Sequence, residues 1–312
     1  MLRAGVVGLG QIGGGVAISL ARSGLLSAVY DIRPDVAANL DGVPANASTL
    51  ADVARNCDVV IIAVYDAAQA RTVLQGPEGL LAAARPDLKL VLLSTIEHDK
   101  FLDLRALTLE HGVELLDCGV TGGNLAAVNG LVALIGGTDE AVAAVRPVVE
   151  GFAKKMYHMG PPGAGLAAKI ARNIVVYVTW LAEHEAMAVA KRAGVDVMKL
   201  ADAIDASADG VGPSCRWVRR DPKYASEPYP EGGRHYLASV LEKDLKAATE
   251  LGAGSGLLLP GVALTRVMGR EIVGLGNNIP DRGASVPSAD QRGGSVSQNA
   301  DGSLRKNLRS MS

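Results

Sequence analysis

Aromatic residues are scarce in this 312-residue chain, at 4% with only two Trp and two Phe. A core without many large rings must be filled by Ala, Val, Leu and Gly, which suits thin helices packed closely on buried parallel strands. Cysteine is equally sparse. Cys57, Cys118 and Cys215 show no C-x-x-C spacing, so neither a disulfide framework nor a zinc knuckle is written here, and reduced thiols in a reducing compartment are expected. The five histidines, His98, His111, His158, His184 and His235, form no H-x-x-x-H or comparable pair, which argues against a catalytic zinc. The longest uncharged apolar run, 174–182, is far too short to cross a bilayer. A formal net charge of −2, with both signs interspersed, provides no broad cationic face, so neither nucleic acid nor membrane is the expected partner. A small molecule is. Strand-like sequence from Leu2 leaves no room for a signal or transit peptide, and a cytoplasmic location is expected.

What the chain does contain is alternation. Short apolar runs at 3–8, 28–31, 59–64 and 89–94 are separated by helix-like segments, which specifies right-handed βαβ units and a parallel sheet. Runs at 114–117 and 131–135 read as two more strands, and 139–152 as a further helix. From Leu166 to Arg192 the pattern is helical and nearly apolar around Ile174–Leu181, so this helix must be buried all round, including by an element of a second subunit. Helices follow at 197–204, 237–251 and 260–275. The expected organisation is an α/β chain: a Rossmann-type parallel-sheet domain over 1–162, an all-helical substrate and dimerisation domain over 163–276 joined to it by the long helix, and a disordered tail over 277–312, where Asn, Asp, Ser, Gly and Pro replace clustered apolar residues. A homodimer or homotetramer is the expected assembly. The polar loop 221–233 is read as covering something near the domain junction.

Gly8-Leu-Gly10-Gln11-Ile12-Gly13 is a G-x-G-x-x-G pattern directly after the first strand and opening a helix. In that context Gly8 permits the tight turn, Gly10 lets the backbone approach a pyrophosphate, and Gly13 lets the helix pack on the strand, while the helix N-terminus presents N–H groups. Asp31 ends the second strand, where a carboxylate accepts from ribose hydroxyls and repels a 2′-phosphate. NAD is therefore favoured, with NADP possible because Arg33 lies two residues on. Val64, Tyr65 and Thr95 stand at the ends of the third and fourth strands, where ligands of open α/β sheets sit.

Lys169 and Asn173 lie four residues apart, so they share a helical face. An amine and an amide opposite a nicotinamide ring can handle the proton that moves when a hydride is transferred to or from an alcohol carbon.

Together these residues resemble the β-hydroxyacid dehydrogenase family, which contains 3-hydroxyisobutyrate dehydrogenase and tartronate semialdehyde reductase. The resemblance spans about residues 3 to 270. It rests on the amino-terminal fingerprint, on Asp117-Cys-Gly-Val-Thr121-Gly122-Gly123 with Gly130 and Gly136-Gly137, on the Lys169/Asn173 segment, and on Lys243-Asp244-Leu245, in that order. It implies that Thr121, Gly122 and Gly123 bind a substrate carboxylate, that Lys169 is the proton-transfer residue, that Asn173 positions the substrate, and that Lys243 reaches the site, beside cofactor and substrate, from the second domain. The chain departs from the family with Thr in place of Ser at 121, Cys118-Gly119 in place of Ala-Pro, and Arg172 in place of the first of two asparagines. The implied activity is NAD(P)-dependent hydride transfer involving a small 3-hydroxy carboxylic acid or its semialdehyde. Two alternatives stay open: an imine reductase-like enzyme, and a non-catalytic dinucleotide-binding protein using the basic stretch Arg305–Arg309 as an interaction tail.

Overall fold

The computed structural model describes residues 2–47, 49–206, 217–254 and 256–276. Residues 2–276 belong to one compact unit. Cys215 and the tail expected over 277–312 lie outside the described residues.

The first half builds a sheet from β1 (Ala4–Val7), β2 (Leu26–Tyr30), β3 (Val59–Ile62), β4 (Lys89–Leu92), β5 (Glu114–Thr121), β6 (Leu131–Gly136) and β7 (Ala153–Gly160). Their order across the sheet is β2-β1-β3-β4-β5-β6-β7. The helices α1 (Gln11–Arg22), α2 (Leu50–Asn56), α3 (Ala67–Gln75), α4 (His98–Glu110) and α5 (Asp139–Glu150) connect the strands. β1, β3 and β4 are apolar at nearly every position because both of their faces are covered. Alternate residues go to opposite layers: Val60, Ile62, Leu90 and Leu92 join α2, α3 and α4, whereas Val59, Ile61 and Val91 join α1 and α5.

Two features depart from the sequence reading. β5 and β6 are antiparallel, because only a turn and a 3₁₀ segment (Gly123–Val128) join them, and a parallel return requires a longer crossover. β7 was not expected as a strand at all. Its Lys154, Lys155, Tyr157 and Met159 are exposed on the sheet's edge, so it lacks the apolar run that marks the inner strands.

The second half is helical: α6 (Ala164–Arg192), α7 (Val197–Ala206), α8 (Glu231–Gly254) and α9 (Pro260–Ile272). Leu166 and Ile170 of α6, Leu241 and Leu245 of α8, and Val262 of α9 share one buried cluster with the α2–α4 face of the sheet. The helices are thus anchored on the same core as the strands. No described helix is long and apolar enough to cross a membrane.

The start of α6 is fixed by Asp117 of β5, only 2% exposed, whose two oxygens accept from Gly163 N at 2.7 Å and Leu166 N at 2.6 Å. Burial raises the carboxyl's pKa while these N–H groups oppose that rise. Asp117→Ala would leave both buried donors without their acceptor, and should destabilise the fold by about 2–4 kcal/mol. Urea unfolding measures this, and an unchanged midpoint would show that α6 does not depend on the contact.

Candidate active site

The carboxyl ends of β1, β3, β4 and β5 open onto one cavity of about 780 Å³, closed on its other side by α6 and α8. Its lining brings together Gly10, Gln11 and Ile12 from the first turn, Val64 and Tyr65 after β3, and Thr95 after β4. Thr121, Gly122 and Gly123 come from the end of β5, Lys169 and Asn173 from α6, and Lys243 from α8. Gly8, Gly13 and Asp31 stand outside this lining: the two glycines shape the turn beneath it, and Asp31 lies beyond β2.

The turn has the form a dinucleotide requires. A Cβ at Gly13 would overlap the Gly8 carbonyl oxygen, so helix and strand can approach this closely only with glycine. A Cβ at Gly10 would meet nothing within 4 Å, and no side chain caps the start of α1. Open space and uncapped N–H groups together suit a pyrophosphate. Asp31, 7% exposed, accepts from Leu9 N at 2.7 Å, while Arg33 Nε and Nη2 donate to its two oxygens at 2.9 and 3.0 Å. The Arg33 guanidinium holds the Asp31 carboxyl at about 2.

Thr121 ends β5, and Gly122 follows at φ 95°, a left-handed conformation that a side chain would strain. This turn is seated on the cofactor helix. Ser19 Oγ of α1 donates to Ala126 O at 2.7 Å, and Arg22 Nη1 donates to Ala127 O at 3.0 Å. The segment that follows Gly122 and the helix that opens at the nucleotide turn are therefore braced against each other.

Lys169 sits where α6 packs on Gly119 of β5. A Cβ at Gly119 would overlap the lysine's own Cβ, so glycine at this position permits the approach. Burial, then Arg172 and to a lesser degree Lys243, lower the amine to about 8, against the opposing pull of Asp244. That is a range in which one amine can both accept and return a proton near neutrality.

Asp244 is the cavity residue that sequence reasoning passed over, having treated it only as a companion of Lys243. It is 4% exposed, and its Oδ2 accepts from Asn173 Nδ2 at 2.7 Å and Tyr177 Oη at 3.2 Å. Lys243 Nζ stands 3.3 Å from its Oδ1 and donates to Thr95 O at 2.6 Å, with the Tyr65 ring centroid 5.4 Å away. One carboxylate thereby ties α6, α8 and the end of β4 together. Asn173 Oδ1 in turn accepts from Arg172 Nη1 at 3.2 Å. The only advance signal for Asp244 was its place in the Lys243-Asp244-Leu245 segment. Tyr229, from the loop read as a cover, contributes to the cavity wall and packs edge-on against Trp217, which stacks on Trp180.

Comparison with known proteins agrees with this geometry. Residues 3–160 match the NAD-binding domain of 6-phosphogluconate dehydrogenase, and residues 163–284 match the NAD-binding domain of NADP-dependent 3-hydroxyisobutyrate dehydrogenase. An uncharacterized oxidoreductase of Mycobacterium tuberculosis is 31% identical over 284 residues, covering 89% of this chain and 95% of the relative. The NAD-dependent L-serine dehydrogenase of Pseudomonas aeruginosa is 30% identical over 81% of this chain and 86% of its own length. Among solved structures, the 3-hydroxyisobutyrate dehydrogenase of M. tuberculosis with L-serine superposes with a TM-score of 0.73 at 26% identity, over 85% of this chain and 91% of that one. With both halves matched in order and the nucleotide turn intact, the chain belongs to the β-hydroxyacid dehydrogenase family of NAD(P)-dependent oxidoreductases.

Proposed function

We propose that this protein is an NAD-preferring dehydrogenase that moves a hydride between its cofactor and a small 3-hydroxy carboxylic acid or the matching semialdehyde. The observation that carries this reading is the meeting of the Gly10–Ile12 turn, the Thr121–Gly123 turn and an amine lowered to about 8 in one cavity. The names of the serine and 3-hydroxyisobutyrate dehydrogenases support it, since each denotes an acid with a hydroxyl two carbons from the carboxylate.

A nicotinamide dinucleotide supplies the hydride acceptor when bound. Gly10, Gln11 and Ile12 would hold its pyrophosphate over the turn made by Gly8 and Gly13, Asp31 its adenosine ribose, and Val64, Tyr65 and Thr95 would border its nicotinamide half. Thr121, Gly122 and Gly123 bind the substrate carboxylate through N–H groups and a hydroxyl. Neutral Lys169 takes the hydroxyl proton during oxidation and, as ammonium, returns it during reduction. Asn173, held by Asp244, orients the hydroxyl, and Lys243 holds the β4 end against α8 beside substrate and cofactor.

Lys169→Ala should lower kcat by roughly 10²–10⁴-fold while leaving NAD affinity within a few-fold; reduced-nicotinamide absorbance with a panel of 3-hydroxy acids reads the first and titration calorimetry the second. Because the neutral amine is the base, kcat/KM for oxidation should climb with pH and level off above about 8, whereas reduction should decline above that point. Asp244 favours the charged amine, so Asp244→Asn should shift both inflections downward. A profile flat from about pH 7 to 9 would remove Lys169 from this role.

The ionised Asp31 with Arg33 folded onto it favours NAD. Asp31→Ala releases Arg33 towards a 2′-phosphate, and the NAD-to-NADP ratio of kcat/KM should fall by about tenfold or more; an unchanged ratio counts against the assignment. Leu264 and Val267 of α9 are 49% and 59% exposed in the single chain, which supports a homodimer or homotetramer, and light scattering that reads a monomer would overturn that assembly. The buried, unpaired thiols of Cys57 and Cys118, the first pushed up to about 12, fit a cytoplasmic setting.

A further inference from the structure

Arg172 is where this chain leaves the pattern of its family, with a guanidinium in place of a small amide. It lines the cavity with Lys169 and Asn173, and stands three residues after Lys169 on the same helical face, which sets their Cβ atoms about 5–6 Å apart. Its Nη1 donates to Asn173 Oδ1 at 3.2 Å, so the side chain lies along the cavity side of α6. We propose that Arg172 is a specificity-determining residue that receives a second carboxylate of the substrate, making short-chain hydroxy dicarboxylic acids, or their semialdehydes, the preferred substrates.

This inference rests on the hydroxy-acid reading above and extends it. The first carboxylate has a receptor made of neutral backbone N–H groups and a hydroxyl at the end of β5. The cationic side chains of the described lining, Lys169, Arg172 and Lys243 against the single carboxylate of Asp244, come instead from α6 and α8. A substrate with one carboxylate engages only the β5 wall. One with a second carboxylate a few carbons beyond the carbinol engages both walls, with the reacting hydroxyl at Lys169 between them. The planar guanidinium fork matches a carboxylate bidentately, which an asparagine cannot do. Beyond Arg172 the wall continues through Val175 and Thr179, so the cavity extends past the reacting centre along α6. The field of Arg172 also acts on the amine, helping to lower it, and a substrate carboxylate on Arg172 would offset that field only in the complex.

The test compares kcat/KM with NAD for 3-hydroxyisobutyrate and for 2-(hydroxymethyl)glutarate, a hydroxymethyl acid carrying a second carboxylate, in the unaltered protein and in Arg172→Asn and Arg172→Lys. The expected result is a preference of about tenfold or more for the dicarboxylate, lost in Arg172→Asn chiefly through a raised dicarboxylate KM and partly regained in Arg172→Lys. Glutarate should inhibit more strongly than butyrate, and that difference should also vanish in Arg172→Asn. Thermal melts confirm that each variant is folded. Oxidation of the monocarboxylate with no preference for the dicarboxylate, or an equal loss on both acids in Arg172→Asn when each is measured on its high-pH plateau, where the Lys169 amine is neutral, overturns this inference and leaves the hydroxy-acid reading standing. If the unaltered protein oxidises no 3-hydroxy acid with either NAD or NADP, both fall together.

Discussion

The docking of α6 onto β5 is the contact on which the site depends. Asp117 takes the first turn of the helix by two backbone N–H groups, and Gly119, two residues along the same strand, leaves the room into which the Lys169 stem descends. Strand alternation sends these two residues to the same face of β5. The strand then ends in Thr121 and the turn at Gly122. One strand therefore sets both the height of the amine and the location of the Thr121–Gly123 turn, and their separation is fixed by the rigid backbone between them rather than by flexible side chains.

A buried carboxylate does the corresponding task on the helical side. Isolated in this interior, Asp244 would be costly. Hydrogen bonds from Asn173 and Tyr177, with the Lys243 amine close by, make its burial tolerable, and in doing so they lock α6 to α8. The same charge pulls upward on the Lys169 amine, against burial and Arg172. Desolvation is the larger influence, so the balance leaves the amine below its ordinary range. Structural and chemical demands meet in one residue: a neutral replacement would change the packing of two helices and the proton affinity of the base together.

Much of this was legible beforehand. The G-x-G-x-x-G turn and the strands β1, β3 and β4 follow from patterns that act locally, through periodicity and close approach of backbone, whereas Thr121, Gly122, Gly123 and Lys243 were expected from the resemblance to a family. β7 did not announce itself, because an exposed edge strand has no apolar signature, and the reversal between β5 and β6 follows from a short connection rather than from either strand's composition. Asp244 was visible only as part of a motif. Nothing in Lys243-Asp244-Leu245 tells that the aspartate, more than the lysine, reaches across to a helix some seventy residues earlier. Likewise Asp31 and Arg33 could be assigned separately to ribose and phosphate, but their mutual ion pair appears only once both side chains are placed.

The sequence by itself determined the fold class, the nucleotide turn and the shared face of Lys169 and Asn173, since each depends on neighbours within a few residues along the chain. Tertiary structure alone decided that Asn173 is held by Asp244, that Arg172 bears on the amine, and that the segment after Gly122 leans on α1. Electrostatic influence and hydrogen bonding depend on distance through space and on how much water is excluded, and a linear order of residues specifies neither until the helices and the sheet have packed.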